Sequence, residues 1–139
     1  MKSDKIIKAA EEWIGTPFHP QGRQKHLGCD CIGLILGIAQ EIGAISLTNQ
    51  PWNQCDVHAY DAIKDSNLLL KLVPQYFPEI TNTSQPGDIL LIQITPTQYH
   101  LAIKSHHNRI IHACSSLNKV ISHKIIPNWK VLKKFSYKL

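Results

Sequence analysis

Two features of the sequence have residue types suited to thiol chemistry. Cys31 opens the apolar segment CIGLILGIAQEI, which reads as a buried helix with Asp30 as its cap. A helix N-terminus offers free N–H groups and partial positive charge. Both favour a thiolate, the nucleophilic form of cysteine, and the same N–H groups can receive an oxyanion. Most cysteines at a helix start are small buried hydrophobes, so this feature alone favours packing over catalysis. The second feature is the pair His100 and His112. The runs Tyr99–Lys104 and Arg109–Cys114 read as strands around the polar turn SHHNR. If Lys104 pairs with Asn108, His100 lies opposite His112, with Cβ atoms about 4.5–5.5 Å apart on one face. One imidazole can then orient the other, as the third member of a catalytic triad does. A one-residue slip would send them to opposite faces. The residues alone leave this pair evenly balanced against two unrelated half-buried histidines.

The remaining cysteines and histidines carry less. Cys29-Asp30-Cys31 lacks the C-x₂₋₄-C spacing of zinc sites and has no second matching pair, so a metal site is not expected. Cys55 and Cys114 read as packing residues. His106 and His107 fall in the turn, while His19, His26, His58 and His123 have no identifiable partner. The N-terminus is charged and amphipathic, without the apolar run of a secretory leader, so free thiols and a chain that is cytoplasmic as synthesised are expected. A Cys29–Cys31 disulfide would be strained.

These residues must be positioned by a small set of elements. Ser3 and Asp4 are cap candidates for a first helix carrying Ile6, Ile7, Ala10, Trp13 and Ile14 on one face and ending at Gly15. A polar, Gly- and Pro-rich loop over 15–29 leads into the helix of Cys31, predicted over Asp30–Ile42 with Gly43 at its end. Gly33 and Gly37 would let that helix lie close against another element. After a loop over 44–57, a third helix is predicted over His58–Lys71, ended by Pro74 and Pro78. Strands are then predicted over Asp88–Ile94, Tyr99–Lys104, Arg109–Cys114, Val120–Ile126 and Val131–Tyr137. Helices first and an antiparallel sheet second make an α+β chain.

With 139 residues and 43% hydrophobic content, residues 1–139 suit one domain around one core. The net charge of +5 favours polyanionic partners, but no zinc finger or compact basic helix points to nucleic acid. No apolar run of about 18 residues is present, so no membrane span is expected.

At this point three motifs, in order, match a known pattern. The segment GTPFHPQGRQKHLGCDCIGLI resembles the nucleophile region of the NlpC-type cell-wall cysteine peptidases, with G-T-P-Y, a polar loop, then D-C-x-G-L opening a helix. Asp30, Cys31, Gly33 and Leu34 fit it. PGDILLI resembles that family's P-G-D strand, and YHLAIKSHHNRIIHA its H-V-G-I-Y…F-I-H-A hairpin. The resemblance covers 13–43 and 86–114, and the hydrophobic Ile32 after the cysteine looks most like the phage-associated branch. It implies a papain-like α+β fold with Cys31 as nucleophile, His100 as base and His112 orienting His100. The implied substrate is an amide bond in peptidoglycan stem peptides or muropeptides, with no cofactor. Asp30 and Phe18 are candidate substrate-side residues, and the basic Arg23 and Lys25, in the loop before Cys31, are candidate partners for stem-peptide carboxylates. Phe18 stands where the family often has Tyr, which removes one hydroxyl near the site. The phage-like branch makes tail proteins candidate partners and virion association or delivery to the cell wall a candidate location. Two other functions share these residues: a catalytically weak tail module, and a related thiol acyltransferase or deamidase.

Overall fold

The structure, a computed structural model, describes residues 2–49, 52 and 66–139. Helix α1 spans Lys2–Glu12 and buries Ile6, Ile7 and Ala10. It starts ahead of the expected caps, so Ser3 and Asp4 lie within its first turn, where Asp4 meets the positive end of the helix. Trp13 follows at 1% exposure, and its indole N–H donates to Glu41 at 3.1 Å. Within the loop after Gly15, short strands β1 (Arg23–Gln24) and β2 (Gly28–Cys29) form a small antiparallel hairpin that the Gly/Pro content concealed.

Helix α2 spans Cys31–Ile42, and every residue from Cys31 to Ala39 is buried. Its two glycines are where the expected close approaches occur. A Cβ on Gly33 would collide with the Gly22 carbonyl oxygen, and one on Gly37 with the Trp13 ring. Gly43 ends the helix in the left-handed conformation at φ 72°.

Helix α3 spans Ser66–Tyr76, and the earlier part of the helix expected from His58 lies outside the described residues. Pro74 does not end it. The chain runs helically through Pro74 to Tyr76, because Leu69, Val73, Tyr76 and Phe77 form one buried stripe. Burial of four such side chains, each about 1.5–3 kcal/mol, outweighs the roughly 3 kcal/mol cost of the proline.

The sheet is antiparallel throughout: β3 (Glu79–Ile80), β4 (Ile89–Thr95), β5 (Gln98–Lys104), β6 (Arg109–Cys114), β7 (Lys119–Lys124) and β8 (Lys130–Phe135). The spatial order is β3-β8-β4-β5-β6-β7. Period-two alternation divides the side chains between its faces. Leu91, Leu101, Ile103, Ile111, Ala113 and Val120 join the main core with α2, while Leu90, Ile92, Ala102 and Ile110 form a second cluster on the opposite face, with Trp129 against it. No helix among the described residues is long and apolar enough to cross a membrane.

Candidate active site

The site is built where β5 and β6 separate. Their ladder pairs Lys104 with Ile110 and Ile103 with Ile111, and no further pair follows toward His100. The register is therefore displaced by two residues from the expected pairing of Lys104 with Asn108. The turn is the cause: the Ser105 N–H donates to the Arg109 carbonyl at 2.8 Å, and the loop 106–108 closes with His107 and Asn108 both at φ 59°. An even displacement preserves the face. His100 and His112 consequently remain on the same side of the sheet, as diagonal rather than direct neighbours. His100 Nε2 and His112 Nδ1 are 2.7 Å apart, with the rings nearly perpendicular.

Lys104 exchanges hydrogen bonds with Gly87 and Asp88 on the β4 side. By alternation, the N–H groups of Leu101 and Ile103 point toward β6. The Leu101 N–H, left without a ladder partner, meets the Cys31 thiol instead. The Ala113 carbonyl, freed on the β6 side, lies against the His100 imidazole. Cys31 thus projects from the head of α2 into the gap between the strands, one residue along β5 from the base candidate.

Asp30 caps α2. Its Oδ1 accepts from the Gly33 N–H at 2.7 Å and its Oδ2 from the Gln21 N–H at 2.7 Å. The carboxylate is 0% exposed, so it organises the nucleophile loop from within and faces backbone rather than solvent. Burial raises its pKa despite those two donors. The thiol does not behave as the isolated helix start suggested. Cys31 is 1% exposed, burial pushes it up to about 12, and the Asp30 charge acts the same way. The N–H groups of Leu101, Ile32 and Cys31 itself pull it down without prevailing. Burial pushes His100 down to about 4 and His112 to about 3. Both shifts run toward the uncharged forms, a thiol and a neutral imidazole.

Cys29, Cys31 and Cys114 are free thiols, and Cys55 lies outside the described residues. Phe18 packs half-buried against the main core and bridges to Cys29. Lys25 contacts Glu12 at 3.0 Å and Glu41 at 3.3 Å. Arg23 donates to the Trp52 carbonyl at 3.0 Å. Both cations are thus engaged by the protein itself. Among the described residues no group of three or more His, Cys, Asp or Glu side chains converges as a metal-binding set. A cleft of about 220 Å³ opens on the histidine side, between Gln98, His100, His112, Cys114 and Trp129.

Sequence reasoning missed His123. Its Nε2 lies 2.7 Å from His112 Nε2, and its Nδ1 lies 2.7 Å from the Lys124 carbonyl oxygen. The register of β6 with β7, which pairs His112 with Ile121, sets this diagonal contact, and no motif in the sequence signals it.

Solved structures share this architecture. The NlpC/p60 domain of the peptidoglycan hydrolase SagA aligns over 96% of this chain and 97% of its own, with a TM-score of 0.61 and 18% identity. The chain has the NlpC/p60 fold. NlpC2 from Trichomonas vaginalis aligns over 98% of this chain with a TM-score of 0.70 and 13% identity. RipB from Mycobacterium tuberculosis, a peptidoglycan hydrolase, aligns over 96% with a TM-score of 0.56 and 15% identity. The chain spans 47% of the length of NlpC2 and 63% of that of RipB. No family model matches the sequence, and no curated protein does.

Proposed function

We propose that this NlpC/p60 chain is a cysteine peptidase or amidase that hydrolyses an amide bond in peptidoglycan stem peptides. The observation that carries the reading is one juxtaposition. His100 is hydrogen-bonded to His112 at 2.7 Å, and the next residue on the same strand, Leu101, offers its N–H to the Cys31 thiol. The substrate class rests on the fold's solved relatives, among which SagA and RipB are peptidoglycan hydrolases.

In this mechanism Cys31 Sγ attacks the amide carbonyl carbon while His100 accepts the thiol proton. With the thiol near 12 and the imidazole near 4, transfer ahead of attack is uphill, so the proton moves as the S–C bond forms. General-base assistance of this kind contributes about 10²–10⁴-fold. The N–H groups at the head of α2 receive the oxyanion. Collapse breaks the C–N bond, and His100 returns the proton to the leaving amine. Water then attacks the thioester with His100 again as base, releasing a carboxylic acid and restoring the thiol. His112 holds the His100 ring throughout. The 1% exposure of Cys31 favours one competing reading, a module that keeps the fold without turnover.

Digestion of purified muropeptides, followed by mass spectrometry, separates the two. The expected result is loss of one amide bond with wild-type protein, and a fall of order 10⁴–10⁶ in kcat/KM for Cys31→Ala. Wild-type protein that leaves every muropeptide intact, with Cys31 inert to alkylation, would establish the module instead.

A further inference from the structure

His123 lies beyond the three residues of the proposed mechanism, yet it continues their hydrogen-bonded line. The chain runs from His100 to His112 to His123 and ends on a backbone carbonyl. We propose that His123 is a positioning residue that sets the tautomer of His100 through His112, leaving the His100 Nδ1 lone pair free to take the Cys31 proton. The inference rests on the peptidase reading for its purpose, but not for its physical content.

Lys124 O can only accept, so at 2.7 Å His123 Nδ1 must carry the proton and donate. In a neutral ring the other nitrogen, Nε2, is then an acceptor. Across 2.7 Å it requires His112 to donate from its own Nε2. That leaves His112 Nδ1 as an acceptor, and across a further 2.7 Å it requires His100 to donate from Nε2. His100 Nδ1 is then unprotonated. Three rings hold three protons for three contacts, and one carbonyl gives the line its direction. Trp129 packs edge-on against the middle ring and the last one, with centroids 5.7 Å from His112 and 5.6 Å from His123, and holds them in line. The Ala113 carbonyl also lies against the His100 imidazole and is the competitor: a proton held on Nδ1 to meet it would reverse the line.

The test is long-range ¹H–¹⁵N spectroscopy of histidine side chains in the full chain at neutral pH, for wild type, His123→Ala and His123→Gln, alongside muropeptide kinetics. The expected wild-type pattern is Nδ1–H on His123 and Nε2–H on His112 and His100. In His123→Ala the His100 and His112 signals should shift away from a single Nε2–H form. The kcat should fall about 10–100-fold with KM unchanged, the range for partners that orient a functional imidazole. In His123→Gln the side-chain carbonyl can accept from His112, and both the tautomer and kcat should recover. An Nδ1–H form of His100 in wild type overturns the proposal, as does a His123→Ala protein whose tautomers and kcat match wild type. The wild-type spectrum stands even if His123→Ala fails to fold. The expected tautomers in a protein that cleaves no muropeptide would remove the peptidase reading and leave the histidine line intact.

Discussion

On the face of the sheet covered by α2, β5 presents Tyr99, Leu101 and Ile103 to the main core. On the opposite face the same strand presents His100 and Ala102, and the neighbouring strands add His112 and His123. One strand thus alternates between a face that holds the domain together and a face that holds three polar rings in register. The first is dry and closely packed, with Leu101 and Ile103 at 1% and 0% exposure. The second borders a cleft of about 220 Å³. The faces meet in the gap between β5 and β6, where Cys31 enters from the covered side. Packing and the proposed chemistry are thus assigned to alternate residues of one strand, with the broken ladder between the two faces.

Substituting adjacent residues of β5 should break this division most visibly. Leu101→Ala is expected to cost about 2–5 kcal/mol in urea unfolding, because its cavity lies in the main core. His100→Ala should cost far less stability but lower kcat about 10²–10⁴-fold. Equal stability losses from the two would mean the faces are not specialised. The next largest effect concerns the thiol. With Cys31 near 12, its alkylation should rise about tenfold per pH unit between pH 6 and 9, and should slow when His100 is replaced. A rate that stays level from pH 4 to 8 would reveal an ion pair and overturn the neutral resting state. Mass mapping would separate Cys31 from the half-exposed Cys114. The smallest effect is on acid stability. His100 and His112 fall from an ordinary 6.5 to about 4 and about 3 in the folded protein. Between those values the unfolded chain binds protons that the folded one refuses. Their contribution is therefore intact above pH 6.5 and is lost as pH falls toward 3. Each imidazole adds a slope of up to about 1.4 kcal/mol per pH unit. Urea unfolding from pH 7 to 4 should show a shallower slope for His112→Asn, and an unchanged slope would place that proton elsewhere.

Much of this arrangement is legible in the sequence because it is local. The cap Asp30, the apolar run from Cys31 and the stop at Gly43 announce α2. The spacing of Gly33 and Gly37 announces its close approach to neighbours. The strand Arg109–Cys114 agrees to the residue. Pro74 misled because a local penalty was outweighed by burial that only the folded chain supplies. The hairpin of β1 and β2 escaped notice because strands of two residues each carry no periodicity.

Local pattern in the chain was enough to place Cys31 at a helix head and to set the alternation of side chains along β5 and along β6. Period and capping depend on neighbours a few positions away. The register of β5 on β6, the point at which their ladder ends, the shared face of His100 and His112, the addition of His123 and the upward shift of the thiol came from the fold. Each of those follows from the turn geometry, from pairing between distant strands, or from the exclusion of water by the packed core. Desolvation above all has no sequence signature: the helix head that would favour a thiolate in water holds a thiol once Cys31 is buried beside Asp30.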